Sequence, residues 1–190
     1  MDWRIPGTVL TGDRDKADQA RAKFEAMFLA GDIMLGQVSG ISGLEPYVIQ
    51  NWVRRGFLSP PKKKRYTLRQ LCRILNINML RGVLSMDRIC SLLAYVNGQL
   101  DDDSDDMIDD TDLYFMFVSL ASRAKELSHI AGREKILEEV LASYQEPVPG
   151  AKQRVCQVLQ VMLTAWAAAR IGQEADEMLT NLLENEQKGE

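Results

Sequence analysis

The stretch Gly43-Leu44-Glu45-Pro46-Tyr47-Val48-Ile49-Gln50-Asn51-Trp52-Val53-Arg54-Arg55-Gly56-Phe57-Leu58, continued by Ser59-Pro60-Pro61-Lys62-Lys63-Lys64-Arg65-Tyr66, decides how this chain is read. Pro46 suits the first position of a helix, where its missing N–H has no partner to lose and its fixed φ is already helical. Gly56 then ends that helix after about ten residues. Just upstream, Ile33 to Val38 predicts another short helix, and Ser39-Gly40-Ile41-Ser42-Gly43 predicts the turn between the two. Two short helices joined by a tight turn are the grammar of a helix-turn-helix. Phe57 to Tyr66 sets two apolar or aromatic ends around a proline pair and a basic tip, which predicts a small hairpin, a wing.

The helix from Pro46 divides by side-chain type. Ile49, Trp52 and Val53 fall on a packing face, leaving Tyr47, Gln50, Asn51 and Arg54 outward. Asn and Gln suit bidentate contact with adenine, and a helix of this kind reads base edges in the major groove. Arg54, Arg55 and the tip residues Lys62, Lys63, Lys64 and Arg65 are suited to phosphates, which fix register without reading sequence. Arg81, at a later helix junction, is a further backbone contact in this reading. Trp52 and Tyr66 are expected as core anchors for the helix and the wing.

Charge points the same way. The overall net charge is -4, but residues 1–100 hold 15 Lys/Arg against 8 Asp/Glu, and residues 101–190 hold 8 against 19. Residues 45–90 concentrate ten basic side chains against Glu45 and Asp87 alone. A polyanion is drawn to that region and repelled by the other half.

Outward from the centre, residues 1–14 lack periodicity and predict an irregular arm that packs back through Trp3, followed by a helix from Asp15 to Ala30. After the wing, Thr67 caps a helix with Leu68, Leu71, Ile74 and Leu75 inside, and Ser85 caps one with Ile89, Leu92, Leu93 and Val96 inside. The run Asp101-Asp102-Asp103-Ser104-Asp105-Asp106, with Asp109, Asp110 and Asp112, is expected to be a solvated linker. Beyond it, helices are predicted at 112–130, 133–144, 151–171 and 174–186. This divides the chain into an arm and helix at 1–32, a DNA-binding module at 33–100, an acidic linker at 101–111 and a helical dimerisation or effector domain at 112–190.

Residues 35–96 resemble the DNA-binding domain of the MerR family. There a helix-turn-helix is followed by a wing ending in Arg and Tyr and by two helices joined by a Leu-Arg-x-x-Gly-x-Ser-like turn; the counterparts here are Gly43 to Leu58, Lys64-Arg65-Tyr66 and Leu80-Arg81-Gly82-Val83-Leu84-Ser85. A closer resemblance is to the bacterial domain of unknown function eighteen-thirty-six family, through Ile49-Gln50-Asn51-Trp52-Val53-Arg54 and Pro61-Lys62-Lys63-Lys64-Arg65-Tyr66. The resemblance implies a mainly helical, all-α fold: a MerR-like winged helix-turn-helix with a small β-hairpin wing and a helical C-terminal domain. It also implies a double-stranded DNA partner, a homodimer on a palindromic site and a role in transcription regulation. Gln50 stands where that family usually has Arg, and Asn51 and Trp52 replace its tandem tyrosines. The break at Asp101 replaces its long dimerisation helix.

Other chemistries fit poorly. No phosphate-cradling glycine loop or nucleophile motif occurs and His129 is the only histidine, so an enzyme is not expected. The odd, dispersed Cys72, Cys90 and Cys156 imply packing, with neither disulfides nor a zinc site. A calcium loop from Asp101 would need glycine and glutamate where Asp106 and Asp112 stand, so neither a metal nor another cofactor is expected. No run of about 18 apolar residues and no secretory leader pattern occur, which predicts a cytoplasmic protein. Tyr114, Phe115, Met116, Phe117 and Trp166 are read first as core, with an effector pocket as the sharper alternative. The rival to a regulator is a non-enzymatic adaptor that keeps the helix-turn-helix scaffold and docks a protein partner through the acidic half.

Overall fold

A computed structural model describes residues 2–100, 102–123 and 130–188. His129, read from sequence as a helical surface or core residue, lies outside them. The chain is mainly helical, 66% helix against 6% strand, so the all-α expectation holds.

The N-terminal arm is ordered where an irregular segment was expected. Strands β1 (Asp2–Arg4) and β2 (Thr11–Asp13) pair antiparallel. Thr8 closes their turn: its hydroxyl donates to the Ile5 carbonyl and accepts from the Leu10 amide. Trp3 packs back, 4% exposed. A 3₁₀ turn at Arg14–Gln19 and α1 (Ala20–Met27) take the place of one long helix, because Lys16 leaves the helical region.

A two-residue strand β3 (Ile33–Met34) precedes α2 (Leu35–Ser42), which ends on Gly43 at φ 71°. Helix α3 (Pro46–Arg54) has its proline in the first turn, as read from sequence. Strand β4 (Arg65–Tyr66) pairs with β3, Ile33 opposite Tyr66 and Met34 opposite Arg65. Within the hairpin expected over 57–66 only Lys62 bridges Arg65, antiparallel across the tip, and no second strand forms there. Pro60 and Pro61 lack the N–H groups that a descending strand must donate, so β4 takes its partner from the segment before α2.

Helix α4 (Leu68–Leu80) is the hub. Thr67 Oγ1 accepts from the Gln70 amide and Gln70 Oε1 accepts from the Thr67 amide, a reciprocal cap. Nine of its residues are buried, from Leu71 to Leu80, including Arg73 and Asn76. A helix apolar on nearly every face must be surrounded; α2, α5 (Met86–Asn97), α6 (Asp110–Ser122) and α8 (Ala151–Lys188) pack against it. Tyr114 on α6 is fully buried and its hydroxyl donates to the Pro6 carbonyl, closing the arm over the core. Phe117 and Trp166 meet edge to face. One hydrophobic cluster runs from Trp3 through α4 and α6 to Trp166.

The acidic run is not uniformly solvated. Asp106 and Asp110 have side chains only 9% and 3% exposed, held by Arg69 and Arg73 of α4. Asp109 caps α6 by accepting from the Thr111 and Asp112 amides. Two acids of the run are thus neutralised from the opposing helix, while Asp102 and Asp105 stay exposed.

Helix α7 (Ile130–Val140) is followed by α8, one helix of 38 residues where two were expected. Gly172 costs about 1 kcal/mol relative to alanine in a helix interior, too little to stop propagation from the packed turns before it. The 34 residues Ala151–Glu184 contain a window long and apolar enough to cross a bilayer by composition, 39% of it buried. Up to Trp166 one face of α8 lies in the core, and from Arg170 to Glu184 every residue is exposed.

Candidate nucleic-acid interface

Helix α3 is held by two side chains. Ile49 is fully buried and Trp52 is 5% exposed, one turn apart on the inner face, with Val48 and Val53 half-buried beside them. Tyr47, 67% exposed, Gln50 and Arg54 emerge on the outside; Asn51 sits half-buried at the margin. The face that sequence reasoning assigned to base edges is therefore open along Tyr47, Gln50 and Arg54, and Asn51 is more restricted than expected. Arg55 is exposed, with its guanidinium 4.6 Å from the centroid of Phe57, which keeps it close to the surface.

The basic tip is a tight turn with unusual backbone. Lys63 and Lys64 both adopt positive φ, 49° and 62°, and the Arg65 amide donates to the Lys62 carbonyl at 2.9 Å. Successive positive φ values belong to the hairpin turn that prefers Asn-Gly, and a lysine there costs on the order of 1 kcal/mol. The tip is braced from three directions. Gln70 Nε2 donates to the Ser59 and Pro60 carbonyls, Arg65 Nη1 donates to the Asp32 carbonyl at 2.7 Å, and Tyr66 is buried. Burial also pushes the Tyr66 hydroxyl pKa up. Arg65, assigned from sequence to phosphate, thus also latches β4 beside β3.

Lys62, Lys63, Lys64 and Arg54 are exposed and have no acidic partner among the described residues. Arg69 and Arg73 are different. Arg69 lies 2.6 Å from Asp106, and Arg73 Nη1 lies 3.3 and 3.5 Å from the two Asp110 oxygens while its Nε donates to the Phe57 carbonyl. Of the ten basic side chains at 45–90, these two serve the interior, and sequence carried no sign of it beyond the spacing of Asp106 and Asp110. Burial pushes the Asp110 carboxyl pKa up, against the pull of Arg73 and Arg69.

Arg81 is exposed at the end of α4 and lines a separate open cleft of about 1330 Å³ with Trp3, Trp52, Asn78 and Trp166. The cleft between the arm and α8 was not foreseen, because nothing local in either segment announces that they meet. Tyr114, Phe115 and Phe117 are buried core residues rather than the wall of that cleft. Burial pushes all three thiols up, Cys72 most, the opposite of what an activated cysteine requires. Among the described residues no three His, Cys, Asp or Glu side chains converge as a metal site requires.

No curated protein and no solved structure matches the chain. The segment from β3 into α6, residues 33–117, which contains α3, the basic tip and the Arg73–Asp110 contact, matches the model of the family described as Domain of unknown function (DUF1836).

Proposed function

We propose that this chain is a DNA-binding regulator of the MerR-like winged helix-turn-helix kind, working in the cytoplasm as a homodimer. Helix α3 enters the major groove with Tyr47, Gln50 and Asn51 toward base edges and Arg54 and Arg55 toward phosphates. The tip Lys62, Lys63, Lys64 and Arg65 lies on the backbone as a wing, and Arg81 adds a flanking contact. The observation that carries this reading is the pair of lysines at positive φ. A turn of this shape is more stable with Asn-Gly, so Lys63 and Lys64 cost folding energy while supplying unpaired charge at a braced, projecting point. Backbone departures of that kind collect where a protein binds.

The test is selection of duplexes from a random library, followed by binding measured across salt concentrations. One site class is enriched, and affinity falls steeply with salt. The variant Lys63→Asn/Lys64→Gly folds at least as stably as wild type, yet reduces the slope of log affinity against log salt by about 2. Gln50→Ala relaxes the site preference and leaves the slope unchanged. Salt-independent binding or no enrichment rejects the proposal in favour of the adaptor reading.

A further inference from the structure

We propose that a second copy of this chain covers the exposed half of α8, the two helices pairing antiparallel with Ile171 of one against Leu182 of the other. From Arg170 to Glu184 every residue of this helix is exposed, Arg170 stacking on Trp166 and Glu174 and Glu177 facing the open cleft toward the arm. Its exposed apolar side chains nevertheless form a stripe. Ile171, Ala175, Met178 and Leu182 follow spacings of four, three and four, and Val161, Thr164 and Ala168 extend the same rhythm back onto the globule. That is the seam of a helix pair. It lies on the side of α8 opposite Val155, Leu159, Met162 and Trp166, which face the core. Leu179 and Leu183 widen it.

The area suits a second copy. Val161, Ile171, Met178, Leu179, Leu182 and Leu183 are 43% to 68% exposed, together on the order of 600 Å² of apolar surface, at the upper limit for a patch on a lone soluble chain. Two such faces bury roughly 1,200 Å², the lower bound of a stable interface. An unsupported helix of this length is marginal in water, and its face is stabilised by partner packing.

Shape and charge select the antiparallel arrangement. With Ile171 opposite Leu182, Ala175 falls opposite Met178, so each layer pairs a small residue with a large one or two of medium size. Leu179 then covers Gly172, beside which there is open space. A parallel pair would set Ala175 against Ala175 and leave a gap. It would also bring Glu174, Asp176, Glu177 and Glu184 level with their own copies and align the two helix dipoles. In the antiparallel pair Glu174 flanks Asn181 of the partner subunit, and the dipoles oppose. These acids likewise set the stripe apart from a bilayer-spanning segment.

This interface supplies the two-fold axis of the DNA-binding reading, and its own test reads mass alone. Light scattering of the full chain at about 50 μM gives twice 21.4 kDa. Ile171→Asp/Leu182→Asp, both at exposed positions, gives a monomer with an unchanged melting temperature for the globule and a self-association weakened by at least about 100-fold. Oxidation of mixed Ile171→Cys and Leu182→Cys chains yields the cross-linked heterodimer, while Ile171→Cys alone yields no more than wild type with its native thiols. A wild-type monomer, or one that floats with lipid vesicles instead of pairing, overturns the proposal; efficient cross-linking of Ile171→Cys alone overturns the antiparallel register. A dimer that binds no duplex refutes the DNA reading and leaves the interface standing; a monomer that binds duplex does the reverse.

Discussion

Arg73 and Asp110 occupy adjacent buried positions, and replacing them is expected to have unequal effects. Arg73 Nη1 lies 3.3 and 3.5 Å from the carboxylate oxygens, an attraction of about 4–5 kcal/mol at an effective dielectric of 20. Removing both charges from water costs several kcal/mol per ion, and burial leaves the Asp110 carboxyl pKa raised in spite of its cationic neighbours. The negative charge is therefore a net burden on the fold. Asp110→Asn keeps an oxygen to accept from Arg73 and changes stability by no more than about 1 kcal/mol. Arg73→Met leaves the buried carboxylate with Arg69 Nε, at 4.0 Å, as its remaining cation and the Phe57 carbonyl without its donor, and costs about 3 kcal/mol. Adding Asp110→Asn to Arg73→Met recovers about 1–2 kcal/mol, because the buried charge that Arg69 alone compensates incompletely is gone. A pH series checks the sign. A carboxyl whose folded pKa exceeds its unfolded one contributes stability below the unfolded pKa and loses it as pH rises through the folded one. Wild type therefore gains on Asp110→Asn as pH falls from neutrality toward the ordinary carboxylate range. Urea denaturation at matched m-values measures all four chains. If Asp110→Asn costs as much as Arg73→Met, or the double variant recovers nothing, the reasoning fails.

Two further outcomes test the scaffold. Thr67→Ala removes the hydroxyl that accepts from the Gln70 amide and loosens the Gln70 brace on Ser59; a loss of about 1 kcal/mol is expected in urea denaturation, and no change would show that the cap contributes nothing. Gly43→Ala places a Cβ against the Val9 side chain at φ 71°, costing about 1–2 kcal/mol from backbone conformation alone; limited proteolysis then cuts the N-terminal arm faster than in wild type, and an intact arm would refute the contact.

What was legible in the sequence was local. Pro46 and Gly56 bracket α3, Thr67 and Gln70 start α4, and the alternation of Ile49 and Trp52 with Gln50 and Arg54 divides one helix into an anchored and an open face. Turns, caps and periodicity depend on neighbours within about five residues, so they can be read without knowing the rest of the fold. Expectations failed where the partner lay far along the chain. The two prolines bar a strand after Leu58, but nothing in residues 57–66 indicates that β4 finds Ile33 instead. Separate helices were expected at 151–171 and 174–186, and the packed turns before Gly172 carried one helix through.

Sequence alone determined a helical chain with a polar-faced short helix beside a lysine tip, because side-chain chemistry and helical spacing are properties of each segment by itself. Tertiary structure alone decided which charges remain available. Arg73 and Lys63 are both cations in one basic stretch, yet one is buried against Asp110 while the other projects unpaired. The reason is electrostatic: whether a charge is solvated or neutralised depends on what distant residues the fold brings within a few ångströms of it.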